Sequence, residues 1–589
     1  MFLLFCSASI GFAEETNEES DDTIIVEDKK DNGDQLGSIS LISVEGSSLK
    51  QADLGELLSQ QPSTNIRRFG GLGAYSSISV RGASSEQTTI MINGIPLNPE
   101  GSSSVNLSEL PLGAFSTIEL YRSHTPLHLQ SSSIGGIVNL IPNTDEQQRL
   151  SFGGGSFQSL TGDIFASTSI KEHQLQVFGR HFQTEGAFQY FDDSATIYNT
   201  SDDAYKTRQN NSSQQQNIFI FDSWKNISLL HNSHAQRGGL AGSIIMPLET
   251  TSLQTSRHLS SAQWTDLFPL FSHQIDLWQL LENYQLDDRE AEIFGSKQWQ
   301  KQQIQQLGIR GFHQFFASDH WIPSLGWTSR WEDSKTQDLL QNEITTQDYR
   351  LISQLQLGSQ FLVLENRLEE NSALQVYHFH TQDEDVLILA PKTSLLFRYS
   401  EQFLAWSSAN RSFRPPTMLE LHGNQGSMVG NSNLQPETAV TFDSGILWKR
   451  NKYLSVQYAY FYRWGQDNII LVQNAQNQSV PLNFAKTRVQ GIEQVLNIRP
   501  NDWLAWTLGL TWTHSQNLSN ISSLHRKQLP NVPIWNLENQ VKLEQRYASL
   551  QYNWSFIDQN YTDATNHYLS PSRSIHNIEI ASNLNDTFP

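Results

Sequence analysis

Cysteine and basic charge are both scarce in this chain. Its 589 residues include one cysteine, Cys6 near the N-terminus, so the rest of the chain offers no disulfide, no thiolate metal site and no thiol nucleophile. Lysine and arginine number 39 against 60 aspartates and glutamates, a net charge of −21. Because binding to nucleic acid relies on basic patches that neutralise phosphate, this deficit argues against a nucleic-acid partner.

Long apolar runs are also missing. Beyond the N-terminus no segment approaches about 20 consecutive apolar residues, so no transmembrane helix is expected. The apolar start FLLFCSASIGFA (2–13) has small residues at Gly11 and Ala13, which predicts a signal peptide over 1–13, although Lys and Arg are absent from its start. An exported chain without a membrane helix is soluble, surface-attached or an outer-membrane β-barrel.

Signatures of catalysis are absent. The sequence has no HExxH, no Cys-x-x-Cys and no convincing triad signature. The glycines of GGLGAYSSISVRG (70–82) lack the lysine and the strand–loop–helix context of a phosphate-binding loop. We therefore predict that the protein is not an enzyme.

What the chain has in abundance is period-two alternation. In WTLGLTWT (506–513) the residues Trp506, Leu508, Leu510 and Trp512 share one strand face, and LQYNWSF (550–556) and LSVQYAYFY (454–462) behave likewise. These strands fit a soluble β-sandwich or a barrel. Aromatic residues at strand ends, and a tight RPND turn (499–502) followed by a long polar loop (514–533), favour the barrel. About 440 residues allow roughly 22 strands, a size that encloses a plugged lumen.

The N-terminal quarter has a different organisation. An acidic leader, 14–34, contains the small β-prone island DTIIV (22–26). Residues 35–145 combine a helical pattern in ADLGELLSQQPS (52–63) with strands in SSISVRG (76–82) and TTIMINGIPL (88–97). The predicted fold is thus a small α+β plug domain, 35–145, ahead of an all-β, antiparallel transmembrane barrel of about 22 strands, 146–589.

Several motifs resemble those of TonB-dependent outer-membrane receptors. In the plug these are ISVRGASSEQTTIMINGIPLN (78–98) and FSTIELYRS followed by SSSIGGIVNLIPN (115–143). In the barrel they are the Phe-Arg-x-Pro and Asn-x-Asn-Leu-x-Pro-Glu segments within 412–446, and NFAKTRVQGIE (483–493). The chain departs from the family at Arg122-Ser123, where Arg-Gly is usual. It also stops at Pro589 after a segment that resembles the penultimate strand, so we expect the C-terminal strand to be missing.

The resemblance implies a monomeric receptor integral to the lipid of the Gram-negative outer membrane, which takes up a scarce chelate. A ferric siderophore is the expected ligand and cobalamin the alternative. A passive porin or adhesin, or a secreted β-sandwich enzyme, remains an alternative from another class. The island is identified as a TonB box, a short strand that adds to a sheet edge of periplasmic TonB; its residues are Asp22, Thr23, Ile24, Ile25 and Val26.

The remaining site predictions follow from the same resemblance. Arg81 and Arg122 are expected to form ion pairs between plug and barrel. His422 lies where haem receptors of the family carry a ligand, since neutral imidazole can bind iron. No resident cofactor is expected, apart from calcium at an acidic loop whose hard carboxylate oxygens suit that ion: Asp192, Asp193, Asp202 and Asp203. A solvated acidic loop is the alternative.

Overall fold

The structure is a computed structural model, which describes residues 5–12, 35–36, 39–44, 53–98, 104–123, 125–192, 200–242, 246–293, 295–364, 367–381, 385–424, 428–473, 479–545 and 548–582. The TonB-box residues 22–26 and Asp193 lie outside these ranges. Within the described part of the chain, no helix has both the length and the apolar character needed to cross a membrane.

The N-terminal module contains short strands and one short helix. In chain order these elements are β1 (Phe5–Phe12), β2 (Gln35–Leu36), β3 (Ile39–Ser43), α1 (Leu54–Ser59), β4 (Thr64–Arg68), β5 (Ser76–Val80), β6 (Thr89–Ile92), β7 (Ile95–Pro96), β8 (Phe115–Tyr121) and β9 (Ile137–Pro142). Single 3₁₀ turns lie at Ser85–Gln87, Leu107–Glu109, Leu112–Ala114 and Leu127–Leu129.

The described residues after β9 are mainly strand. The elements are β10 (Gln147–Gly155), β11 (Ser159–Ile170), β12 (His173–Thr184), β13 (Gln189–Asp192), β14 (Ala204–Thr207), β15 (Ser213–Trp224), β16 (Ile227–Gly239), β17 (Ser252–Leu267), β18 (Phe271–Asp288), β19 (Gln298–Phe315), β20 (Trp321–Asp338), β21 (Glu343–Val363), β22 (Leu368–Thr381), β23 (Asp385–Ser400), β24 (Phe403–Arg414), α2 (Met418–His422), β25 (Gly423–Asn424), β26 (Met428–Val429), β27 (Glu437–Asn451), β28 (Leu454–Gln473), β29 (Ser479–Asn501), β30 (Leu504–Asn517), β31 (Trp535–Gln545), β32 (Ala548–Ile557), β33 (Asn560–Tyr561), β34 (Leu569–Ser570) and β35 (Arg573–Ser582).

The long strands join into one 23-stranded sheet whose order follows the chain from β10 to β35. The plug forms a six-stranded sheet in the order β2-β3-β8-β9-β6-β7, with the β4–β5 hairpin beside it. Plug residues are hydrogen-bonded to the large sheet from its first long strand, Arg149, to its last, Asn577. The sheet therefore surrounds the plug, which confirms the predicted plugged barrel of about 22 strands.

Period-two alternation separates the two faces of the barrel wall. On β30, Thr511 and Thr513 are buried towards the plug, whereas Trp506 is exposed on the outer face. The strand continues to Asn517, beyond the predicted loop start at His514, because Ser515 and Asn517 keep the alternation and pair with β29. Polar positions thus face the lumen and apolar positions face outwards.

The plug core explains why the N-terminal sequence folds into its short elements. Asp53 caps the N-terminus of helix α1 by accepting a hydrogen bond from the Glu56 N–H at 2.9 Å, and the helix buries Leu54, Leu57 and Leu58. These leucines join a cluster that includes inward-facing aromatic residues of the barrel wall, such as Phe178 and Trp278. Apolar packing therefore continues across the plug–barrel boundary.

The connections between barrel strands are unequal at the two rims. The short-turn rim has connections of a few residues at 171–172, 225–226, 401–402, 452–453 and 502–503. The long-loop rim carries the connections after β12, β16, β24, β30 and β32, of which 518–534 and 558–572 are described throughout. This inequality was predicted from the 499–533 stretch and is typical of outer-membrane barrels.

Strand β1 lies inside the predicted signal peptide. Its backbone runs antiparallel to β10, from Phe5 opposite Gly155 to Phe12 opposite Gln148. Such pairing satisfies backbone groups at a sheet edge that would otherwise lack partners. Whether residues 1–13 are removed on export stays a prediction.

Candidate functional site

The turn after β5 carries the first candidate residue, Arg81. Arg81 and Gly82 both have positive φ, +50° and +68°, a region in which glycine is unstrained and arginine is not. The turn is closed by two backbone bonds, from the Arg81 N–H to the Ser63 carbonyl at 2.8 Å and from Ala83 to Val80 at 2.9 Å. Local strain at a non-glycine residue requires stabilisation from elsewhere in the fold.

That stabilisation comes from the barrel wall. The Arg81 guanidinium forms two 2.7 Å hydrogen bonds to the Glu493 carboxylate and a third, also 2.7 Å, to Asp443. All three side chains are buried, and the guanidinium stacks 4.8 Å from the Phe461 ring centre. The Trp406 indole donates to the second oxygen of Asp443 at 2.7 Å. We call Arg81, Asp443 and Glu493 the latch.

The electrostatics of the latch follow from its charges. Burial alone would lower the pKa of Arg81, but the nearby carboxylates of Glu493 and Asp443 outweigh burial and raise this pKa. The arginine therefore stays charged at any physiological pH. A charge this deeply buried is stable only while both partners remain in place.

Arg122, predicted to form a second such pair, has a different environment. Its guanidinium donates to the Pro62 carbonyl at 3.2 Å and to the Ser40 hydroxyl at 2.9 Å, both within the plug. Among the described residues no carboxylate lies within ion-pair distance of it. Burial lowers the pKa of Arg122 to about 10, and Glu493 opposes that shift only in part. Its two hydrogen-bond partners thus belong to the plug, while the barrel carboxylate of Glu493 acts on its charge without an ion pair.

A further plug–barrel ion pair was not predicted from the sequence. Glu109, in a 3₁₀ turn of the plug, lies 3.0 Å from Arg257 of β17, and Arg257 also bonds Glu282 of β18 at 2.6 Å. All three residues are buried. Arg257 stands at a lumen-facing position of an alternating strand, which could have marked it as a candidate for a plug contact. The sequence does not indicate its partner Glu109, because the two residues are 148 positions apart.

Neutral hydrogen bonds fasten another side of the plug. Gln130 donates to the Gly311 carbonyl at 2.8 Å, while its own carbonyl accepts from Gln354 at 2.9 Å and from the Tyr377 hydroxyl at 3.1 Å. Gln130 adopts φ +49°, which turns the chain towards the wall. Charged and neutral contacts thus hold the plug at separate places round the lumen.

The β4–β5 hairpin ends in a loop that points to the long-loop rim, and we call residues 67–75 the apex. The Gly73 carbonyl accepts hydrogen bonds from Gln215 and Gln236, both at 2.9 Å, and this close approach leaves no space for a side chain at Gly73. Phe69 is 61% exposed. The Arg67 guanidinium lies 5.1 Å from the Phe69 ring centre.

The two arginines of the apex differ in charge pairing. Arg68 lies 2.9 Å from Asp53 and 3.3 Å from Glu56. For Arg67, by contrast, no carboxylate among the described residues lies within ion-pair distance. The apex therefore presents a cation and exposed aromatic rings, Phe69 and Tyr75, whose centres are 5.7 Å apart. This arrangement can bind an anionic, partly aromatic ligand.

The acidic loop offers less to a cation than its sequence suggests. Asp192 is buried and lies 2.5 Å from Lys206 on the neighbouring strand β14. Asp202 and Asp203 follow outside these two strands. Within the described ranges, no group of three or more His, Cys, Asp or Glu residues is arranged to hold a metal ion. Calcium binding here stays a prediction.

His422, the residue predicted as a haem ligand, closes helix α2. Thr417 caps this helix: its hydroxyl accepts from the Glu420 N–H at 3.0 Å, and the Glu420 carboxylate accepts from the Thr417 N–H at 2.7 Å. The imidazole Nε2 contacts the Asp348 carboxylate of β21. A haem iron would have to displace that carboxylate, and the ligand assignment stays a prediction.

The fold and these contacts define a β-barrel whose lumen is filled by a fastened plug with an apex open to long loops. Known proteins agree. A family model for the β-barrel of TonB-dependent receptors matches residues 226–585, and one for the TonB-dependent receptor plug domain matches residues 32–137. Because the barrel match spans more than half of the chain, this protein belongs to the TonB-dependent receptor family, whose barrels are integral to the outer membrane.

Solved structures share the same fold at low sequence identity. The copper transporter OprC superposes with a TM-score of 0.76 at 12% identity, covering 94% of this chain and 90% of its own. A ferric enterobactin receptor mutant from Pseudomonas aeruginosa, in complex with enterobactin, gives 0.72 at 15%, covering 93% and 92%. The FrpB iron transporter from Neisseria meningitidis gives 0.73 at 10%, covering 94% and 93%. The family works as receptors and transporters rather than as enzymes.

Proposed function

We propose that this protein takes up a ferric siderophore across the Gram-negative outer membrane, with energy delivered through TonB. The observation that carries the proposal is the apex, where Arg67 and the rings of Phe69 and Tyr75 face the long-loop rim. In a chain of net charge −21, a cation without a carboxylate partner among the described residues is a local attraction for an anionic chelate. Siderophore receptors among its structural relatives support the same ligand class.

The plug argues for energised transport rather than passive flow. Buried contacts at Arg81, Arg257 and Gln130 fix it to separate parts of the wall. A passive porin gains nothing from such a filled lumen. In the proposed mechanism ligand binds at the apex, the latch loosens, and TonB holds residues 22–26 as an added strand and pulls. Asp22, Thr23, Ile24, Ile25 and Val26 supply that strand.

The ligand class is tested by quenching of tryptophan fluorescence in the purified full-length protein. The probes are ferric enterobactin, a ferric hydroxamate, haem, cupric ion and cobalamin, each with and without calcium. Saturable binding of a ferric chelate is the expected result. Calcium-dependent binding of cobalamin would overturn the siderophore proposal and would support calcium binding by the loop of Asp192, Asp193, Asp202 and Asp203. Binding of haem that is lost in His422→Ala would overturn the siderophore proposal in favour of haem uptake.

A matched pair of variants locates the site. Arg67→Gln should weaken binding of the ferric chelate about tenfold or more, the cost of one charge-assisted hydrogen bond. Arg68→Gln removes a neighbouring arginine that is already paired with Asp53 and Glu56. The affinity of this variant for the ferric chelate should therefore change little. Equal losses in both variants would show that general charge, rather than the apex site, attracts the ligand.

A further inference from the structure

The long loop 518–534, here called the strap, descends from the long-loop rim onto the plug. We infer that the strap is the coupling element of this receptor: it connects outer loop 558–572 mechanically to the Arg81–Gly82 turn, so that a change at either end alters the other. The inference rests on the proposed function for its biological purpose. Its contacts and its test do not depend on any ligand.

The inner end of the strap packs on the Arg81–Gly82 turn. A Cβ built on Gly82 would lie 3.0 Å from a Val532 methyl and 3.5 Å from Val489 of the barrel wall, so both valines pack directly on this glycine. One residue earlier, the Asn531 carbonyl accepts a hydrogen bond from the Asn65 side chain of β4 at 3.0 Å. The turn thus contacts the strap through Gly82 and the latch carboxylates through Arg81.

The outer end of the strap is bound to loop 558–572. The Gln528 N–H donates to the Asn566 side-chain oxygen at 2.8 Å, and the Asn566 amide returns a bond to the Gln528 carbonyl at 3.0 Å. The Asn531 N–H donates to the Tyr561 carbonyl at 2.7 Å. Asn531 therefore contacts the outer loop through its N–H and the plug through its carbonyl, within one residue.

The strap itself is braced, which a coupling element requires. The Gln528 side chain donates to the Val532 carbonyl at 2.5 Å and so spans the stretch between the two ends. Leu524 and Val532 are buried. The Asn517 N–H bonds the Lys527 carbonyl at 2.8 Å, which ties the strap to the end of β30. A contiguous set of packed and hydrogen-bonded groups is the physical requirement for coupling, and energetic coupling is what an experiment must show.

Hydrogen exchange of the ligand-free, full-length protein provides that test. Arg81→Met opens the latch, and coupling predicts that exchange of the Gln528 and Asn531 amides then rises about fivefold or more. In a Val532→Ala background the same latch mutation should change these amides less than about twofold. Val489→Ala is the matched control, because Val489 packs on the same glycine but belongs to the barrel wall rather than to the strap.

Reciprocity of coupling gives a second test, which does not require that Val532→Ala folds. Asn566→Ala, a change at the outer end, should accelerate exchange of the residue 81 and 83 amides, since coupling between two sites acts equally in both directions. Unchanged exchange at 528 and 531 in Arg81→Met would overturn the inference. So would equal loss of the response in Val532→Ala and Val489→Ala, because packing on Gly82 in general would then explain it. Failure of the siderophore to bind would leave these results untouched.

Discussion

The latch yields the sharpest prediction. Arg81→Met keeps the volume and apolar stem of the side chain but leaves Asp443 and Glu493 buried without their shared cation. Removing one partner of a buried ion pair typically costs about 3–5 kcal/mol. Three charge-assisted bonds at 2.7 Å are lost together, which places this site inside that range rather than below it.

The assay is exchange of the amides at residues 81 and 83, whose N–H groups are protected by Ser63 and Val80. An increase of two to nearly four orders of magnitude in the opening equilibrium is expected, since each 1.36 kcal/mol is about tenfold. The triple variant Arg81→Met/Asp443→Asn/Glu493→Gln removes the stranded charges, so it should recover more than half of the lost protection. Exchange within about threefold of wild type in Arg81→Met, or a triple variant no better protected than the single one, would refute the reasoning.

Three further outcomes follow from other contacts. The Ser63 and Thr511 hydroxyl oxygens are 3.3 Å apart across the plug–barrel boundary. The double variant Ser63→Cys/Thr511→Cys should therefore form a disulfide that stops uptake until a reductant is added. Uptake that the disulfide does not change would show that the plug need not move at this point. Glu292 accepts hydrogen bonds from the Thr251 hydroxyl and from the backbone N–H groups of 249–251, and these bonds lower its pKa to about 2. The resulting stabilisation of the loop is full above about pH 4.5 and is lost as the pH falls through about 2, so amides 249–251 should keep their protection from hydrogen exchange between pH 7 and pH 5. Glu292→Gln should reduce that protection severalfold, and equal protection in the variant would contradict this role. Deleting residues 22–26 should abolish uptake and spare ligand binding, and uptake that persists would favour a passive channel.

Much of the fold could be predicted because it repeats simple local rules. Alternation assigns Thr511 to the lumen and Trp506 to the outer face without knowledge of any partner strand. The strand predicted in SSISVRG (76–82) is β5, whereas the positive φ of Arg81 after it had no signal in the sequence, because arginine rarely adopts that conformation. Strand β30 extends past its predicted end because pairing with β29 outweighs the polar character of His514–Asn517.

The partners of charged residues could not be predicted in the same way. The ion pair between Glu109 and Arg257 depends on the position of the plug in the lumen and on the register of β17 and β18. No local sequence pattern encodes either of these. For the same reason Arg122, which with Ser123 stands where the family usually has Arg-Gly, donates to Pro62 and Ser40 rather than to a barrel carboxylate. Asp192 looked available to a cation until the hairpin β13–β14 placed Lys206 beside it.

Energised import of a ferric chelate is tested most directly by uptake into cells that carry the full-length chain as their sole receptor. Iron accumulation from ferric enterobactin and from a ferric hydroxamate would be compared between the wild type and the 22–26 deletion, with surface binding measured in parallel. We expect saturable uptake in the wild type, with binding but no uptake in the deletion. Equal uptake by both, or binding by neither, would contradict a TonB-driven siderophore receptor.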